Sequence, residues 1–221
     1  MNREFALGFI AKLAMFRAGY SMQADGTMQR STGTGDEYTV NYTDENGNAA
    51  TATSADDYYK VAQAYAKKLI NLKDRQLDNN FKEIFDNEIN GCNPANGDVL
   101  FEMGYVPNSG GDIGWCLGLT VEGGSKGSGK TYTNLTPNYA CSFNAQDQRL
   151  NVTCANYKWI TDNKQNAVDG VNIMPAKWCR MDLSVNNVDS KGTGINFPVL
   201  RYADVLLLLA EADNEINNGP T

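Results

Sequence analysis

The stretch Asn196–Glu215, NFPVLRYADVLLLLAEADNE, decides how the rest of the chain is read. Its longest apolar run, Val205–Ala210, has six residues, against the ~20 that a membrane-spanning helix needs. Its apolar residues fall on all sides of a helix, a pattern that marks burial. Pro198 suits the first turn of that helix and Gly219-Pro220 suits its end. Arg201 and Asp204 lie three residues apart and are placed to pair. Few residues follow, so the helix is expected to pack against partners that this sequence does not supply.

Around that segment, 221 residues suit one large domain or two small ones. A hydrophobic content of 42% with 10% aromatics predicts folding rather than disorder. The net charge of −7 and the absence of a Lys/Arg stripe argue against nucleic acid as a partner and favour neutral ligands such as sugars or peptides. There is no His, so neither a His-containing triad nor a His-ligated zinc site can be built. The five Cys (92, 116, 141, 154, 179) include no C-x-x-C pair, which disfavours zinc and thioredoxin-like chemistry. Their odd number leaves at least one thiol. Cys141 and Cys154 are close enough in sequence to pair, and buried free thiols fit equally well. Met1 leads straight into Asn2-Arg3-Glu4 and an amphipathic pattern instead of a signal peptide. As a whole gene product the chain would be cytoplasmic; as a fragment it would have lost its address.

Residues 4–20 predict a helix with a wide apolar face that includes Phe5, Phe9, Ile10, Leu13, Phe16 and Tyr20. Residues 21–53 read as an exposed loop, with a hairpin through Tyr38–Tyr42. Ser54 and Asp57 resemble a capping box ahead of a second helix over 55–73. A third helix is expected over Phe81–Ile89, with Phe81, Ile84, Phe85 and Ile89 inward, Asp86 and Glu88 on its solvent face, and Gly91 as its C-cap. From Cys92 to about Asn196 the chain is rich in Gly, Asn, Thr and Ser, with short apolar patches at 99–101 and 117–121. Such a stretch reads as an irregular subdomain that carries specificity.

Gly124–Thr131, GSKGSGKT, matches the P-loop expression. A working P-loop would cradle phosphate on backbone N–H groups, with Lys130 on the terminal phosphate and Thr131 on magnesium. The segment after it, YTNLTP, is β-branched and ends in Pro, where a helix N-terminus is required. The expected identity is a Gly/Ser surface loop, and nucleotide hydrolysis is the rival from another class. Asp44-Glu45-Asn46-Gly47 lacks the spacing of a calcium loop, and no carboxylate pair stands out for glycoside hydrolysis. No catalytic residue, metal or cofactor is assigned. The aromatics of the middle region offer flat faces on which sugar rings stack, while Asn and Asp can bond hydroxyls. Candidate ligand-binding residues are Trp115, Tyr105, Asn108, Asp112, Tyr132 and Tyr139. Trp115 leads because Gly110–Gly114 forms a loop able to present it. The competing assignment is a helical-repeat scaffold in which the aromatics are all core.

Val199–Glu215 resembles the hallmark helix of the SusD/RagB family: Leu200–Leu207, then Ala210-Glu211-Ala212 and Asn214-Glu215. Asp98–Glu102 and Pro175–Trp178 resemble two further family elements in the same order, and the opening helix resembles its TPR-type helix. Asp213 stands where the family usually has an apolar residue. The resemblance implies a mainly α fold, a TPR-like α-α superhelix around an irregular region with a few short strands. It implies a single domain cut at both ends, with a helical part (1–91), a ligand-binding region (92–196) and the buried hallmark helix (197–221). It further implies a non-enzymatic outer-membrane lipoprotein that captures oligosaccharides, or peptides in some members, for a SusC-like TonB-dependent transporter. The lipid-bearing Cys and its signal would lie outside this sequence.

Overall fold

The computed structural model describes residues 2–218. Its helices are α1 (Arg3–Ala18), α2 (Asp57–Leu72), α3 (Phe81–Asn90), α4 (Ile113–Cys116), α5 (Pro137–Cys141), α6 (Arg149–Thr153) and α7 (Tyr202–Asn217). The strands are β1 (Tyr20–Met22), β2 (Met28–Arg30), β3 (Val40–Thr43), β4 (Ala49–Ala52), β5 (Val99–Met103), β6 (Cys154–Ala155), β7 (Tyr157–Thr161), β8 (Lys164–Ala167), β9 (Met174–Pro175) and β10 (Phe197–Arg201). They pair two by two: β1 with β2, β3 with β4, β5 with β10, β6 with β9 and β7 with β8. The chain divides into a first unit, Met1–Leu77 with Asn96–Phe101 and Val199–Thr221, and a second, Asp78–Ala95 with Glu102–Pro198.

In the first unit α1, α2 and α7 pack together. Asn2 caps α1 by accepting the Phe5 N–H at 2.7 Å. The inward face of α1 is Phe5, Gly8, Ala11, Ala14, Met15 and Ala18. This corrects the expected face: Phe9, Ile10, Leu13 and Phe16 point outward, and Phe16 is 76% exposed. Small residues let the helices approach closely. A Cβ at Gly8 would lie only 2.9–3.1 Å from the side chains of Leu200, Val205 and Leu69. The core runs from Phe5, Leu69, Leu100, Leu200 and Val205 on one side to Met15, Tyr59, Val61 and Ala212 on the other.

Residues 20–52 form two antiparallel hairpins where one loop with one hairpin was expected. The second pairs Val40 with Ala52 and Thr43 with Ala49. Its turn is the Asp44–Gly47 sequence, closed by the Asp44 carboxylate, which accepts the N–H groups of Asn46 and Asn48 at 2.9 and 2.8 Å. Ahead of α2, Ser54 Oγ accepts the Asp57 N–H at 3.3 Å, and the Asp57 carboxylate accepts the Thr53 N–H at 3.1 Å. The motif therefore sits one step outside the helix, which starts at Asp57 instead of 55. The Thr53 N–H, with Ser54 and Lys60, holds the Asp57 carboxyl down at about 2 despite desolvation.

The hallmark segment differs from expectation in three ways. Pro198 lies in strand β10, and the helix begins at Tyr202. Arg201 and Asp204 do not pair through their charged ends. The Arg201 guanidinium bonds the buried Asp98 carboxylate at 2.8 Å, and Asp204 accepts the Arg201 N–H at 3.1 Å. The expected stop at Gly219-Pro220 lies outside the described residues, and the cap seen is Asn218 in the left-handed region (φ 54°). The helix is also not buried all round: Tyr202, Val205 and Ala212 are buried, whereas Leu207 is 70% exposed.

In the second unit α3 ends on Gly91 in the left-handed region (φ 61°), as its sequence predicts. Ile84, Phe85 and Ile89 face inward, and Phe81 is half-buried. Glu88 corrects the solvent-face assignment: it is 0% exposed and accepts from the Asn93 amide at 2.8 Å. Phe85 meets Trp178 edge-on, centroids 5.2 Å apart. One core cluster gathers Ile89, Leu183, Val188 and Ile195, and another gathers Leu119, Ala155 and Cys179. All five cysteines are thiols. Burial pushes the Cys179 thiol up to about 12.

Candidate ligand-binding site

Four extended segments of the second unit lie side by side. Val121 bridges Gly129 on one side, with N–H···O bonds of 2.9 and 2.8 Å, and Trp159 on the other. Trp159 pairs with Gln165 across the β7–β8 hairpin. No segment is long, because each is interrupted by Gly, Asn or Asp, but adjacent backbones satisfy one another. Beside them, the one-turn helix α4 ends in Trp115 and Cys116, whose carbonyls accept the N–H groups of Lys130 and Tyr132 at 2.9 Å each. Trp115 is thereby fixed next to the strip 130–132.

An open cavity of about 800 Å³ is built on this frame. Trp115, Val121 and Met174 supply apolar wall; Thr120, Thr131, Asn134 and Asn172 supply hydrogen-bonding groups; Glu122, Lys130, Lys158 and Asp169 supply charge. Lys158 is ion-paired with Glu122. A half-buried indole among hydroxyls and amides can stack a flat, hydroxylated ligand and bond its rim. The Trp115 ring is steadied by Tyr132, edge-on at 5.1 Å and 75°.

The GSKGSGKT loop forms one edge of the cavity and cannot act as a phosphate cradle. Five of its eight N–H groups are already engaged: Ser125 with the Asp162 carboxylate at 2.7 Å, Gly127 with the Gly124 carbonyl, Gly129 with Val121, Lys130 with Trp115 and Thr131 with the Thr120 hydroxyl. Two of its carbonyls, those of Lys126 and Ser128, turn inward instead, onto a cation. Arg180, fully buried, donates to the carbonyls of Lys126 at 2.8 Å, Ser128, Ser190 at 2.9 Å and Asp189 at 2.9 Å. Gly127 passes so close that a Cβ there would lie 2.9 Å from the guanidinium. Lys126 donates to the carbonyls of Leu183 and Val185. The next helix, α5, starts only at Pro137. A P-loop needs the opposite polarity, with amides toward the ligand and a helix behind them.

Of the six candidate residues, the structure brings Trp115 and Tyr132 together and disperses the others. Asp112 is exposed and serves α4 through its carbonyl, which accepts the Trp115 N–H at 2.9 Å. Asn108 adopts a left-handed backbone (φ 62°) and accepts the Asp189 N–H at 2.7 Å, a turn-holding role. Tyr105 lines a separate cavity of about 440 Å³ with Val106, Pro107 and Leu183. Tyr139 lines another of about 250 Å³ with Leu117 and Trp178. Trp159 and Trp178 pack into the core clusters, while Trp115 opens on the cavity, so the aromatics are not all core. Lys130, Lys158, Asn134, Asn172 and Asp169 were not singled out by sequence.

Among the described residues no group of His, Cys, Asp and Glu side chains is placed to hold a metal ion, and no helix is long and apolar enough to cross a membrane. The SusD family model matches residues 12–221, so the chain belongs to the SusD family. No curated protein matches it. A SusD homolog from Bacteroides thetaiotaomicron VPI-5482 is similar over 100% of this chain, with a TM-score of 0.75 and 21% identity; the match covers 42% of that protein. A SusD superfamily protein from Parabacteroides distasonis ATCC 8503 is similar over 100% of this chain and 41% of its own, with a TM-score of 0.63 and 15% identity. Surface glycan-binding protein A from Bacteroides thetaiotaomicron, solved with laminarihexaose, is similar over 74% of this chain and 40% of its own, with a TM-score of 0.51 and 16% identity. The chain thus spans about two fifths of these relatives, and at such identities the likeness speaks for the fold.

Proposed function

We propose that the cavity beside Trp115 captures oligosaccharides, and that the chain is the nutrient-binding part of an outer-membrane glycan-uptake complex. The observation that carries this is a half-buried indole opening on a cavity of about 800 Å³ whose other walls are rich in hydroxyls and amides. Sugar rings offer C–H faces to such an indole and hydroxyls to such a rim. Family membership supports a binding role without catalysis, and the complex of a structural relative with laminarihexaose supports the ligand class. Transfer to a SusC-like TonB-dependent transporter, surface location through a lipid anchor, and a TPR-like arrangement of α1, α2 and α7 follow from family membership and belong to this proposal.

The proposed contacts are Trp115, as stacking platform, and Tyr132, as its support. Calorimetric titration with a panel of oligosaccharides tests the ligand class. Binding of at least one member, weakened about tenfold in Trp115→Ala, is expected from the loss of a stacking contact. Binding that is unchanged by that substitution, or binding only of peptides, contradicts it.

A further inference from the structure

The charged groups around Trp115 are unequally engaged. Of the two cavity carboxylates, Glu122 is ion-paired with Lys158, and Asp169 is turned back on its own loop, where it accepts the Val171 N–H at 3.4 Å. The ammonium groups differ. Lys130 lines the cavity, is exposed, and is tied to Trp115 through its backbone N–H, while its side chain has no carboxylate partner among the described residues. Lys191 stands with its ammonium 4.7 Å from the centre of the Trp115 ring, and that ring is its one charge-seeking contact among the described residues. Two cations without carboxylate partners therefore stand near Trp115, Lys191 over its ring and Lys130 on the neighbouring strip, in a chain whose net charge is −7. At physiological salt, charges interact over only about 8 Å, so a ligand at Trp115 senses these two groups more than the distant acidic surface.

From this juxtaposition we infer that the site takes anionic oligosaccharides, whose rings carry carboxylate or sulfate groups. The inference rests on the oligosaccharide-binding proposal and narrows it. A sugar that takes the ring face must share it with Lys191, whose flexible ammonium stands over the ring and then meets the substituents the sugar projects. A carboxylate or sulfate there gains charge-assisted hydrogen bonds that a hydroxymethyl group cannot make to the same degree. The lysines are flexible point charges, so they suit either anion.

The test is calorimetry with matched pairs: oligogalacturonate against its carboxyl-reduced form, and a chondroitin sulfate oligosaccharide against its desulfated form, each at about 20 mM and about 150 mM salt. The acidic member of at least one pair should bind about fivefold tighter at low salt, with the ratio shrinking as salt rises, as two exposed charge contacts allow. The Lys130→Gln/Lys191→Gln double variant should lower the acidic member's affinity about fivefold more than its neutral partner's. Lys164→Gln, an exposed charge on β8 away from the cavity lining, should leave the ratio as it is. A preference shown by one pair alone separates carboxylate from sulfate as the group read. Equal or tighter binding of the neutral members, or a preference untouched by the double variant, overturns this inference while oligosaccharide binding stands. Binding of no member of either pair overturns this inference, and failure of the whole oligosaccharide panel as well overturns the proposal it rests on.

Discussion

Asp98 is the residue on which the hallmark helix hangs. It is 1% exposed. One carboxylate oxygen accepts the Arg201 guanidinium at 2.8 Å, the other accepts the Ala203 N–H in the first turn of α7 at 2.8 Å, and its carbonyl accepts the Tyr202 N–H at 2.7 Å. An anion placed on first-turn amides caps the helix from another part of the chain. Asp98→Ala would leave the buried end of Arg201 and an amide without partners. We expect a loss of about 3–5 kcal/mol in denaturant unfolding, with Asp98→Asn milder. Tyr202 is held by the same region: its hydroxyl donates to Asp74 at 2.8 Å, and burial with that bond pushes its pKa from 10.0 up to about 12. A phenol kept neutral in the fold contributes stability that is whole below about 10 and lost as pH rises toward about 12. Tyr202→Phe should cost about 1 kcal/mol at neutral pH and show a shallower loss between those values, read by thermal unfolding against pH. Arg180 is the counterpart in the second unit. Arg180→Met strips a donor from four carbonyls and should cost about 3 kcal/mol or more, with the 124–131 loop becoming the first site of proteolysis.

Among the elements, those with helical periodicity were the most legible. α1, α2 and α3 lie within a few residues of where apolar spacing puts them, because ten or more residues average over exceptions. Which face turns inward was less legible in α1. Hydrophobicity favours Phe9, Leu13 and Phe16, while close packing selects Gly8, Ala11 and Ala18. The P-loop lookalike shows the limit of a motif: identical letters give carbonyls directed at Arg180, because polarity is set by what the loop packs on. The start of α2 carries its own prediction. With the Asp57 carboxyl held at about 2, its contribution is whole above about 4 and lost as pH falls through about 2. Asp57→Asn should flatten acid unfolding over that window, followed by circular dichroism. The strands of the second unit have two to five residues each, too few for alternation to speak.

At the scale of the molecule, family membership was legible in a single helix and its flanking strand, where Arg201-Tyr202-Ala203 supplies four donors to Asp98 and Asp74. The cavity was not legible as a whole. It converges from α4, the 120–134 strip, β7 and the 167–174 segment, and no local pattern marks such convergence. Trp115 was found because a glycine-rich turn presents it. Lys130 and Lys158 were missed because an isolated lysine has no sequence signature. The most direct measurement is calorimetric titration of an oligosaccharide panel, acidic and neutral, into the wild-type chain and Trp115→Ala. Saturable binding of an oligosaccharide, weakened about tenfold by the substitution, is expected. Binding of equal strength in both proteins, or of no oligosaccharide at all, would contradict a sugar site at Trp115.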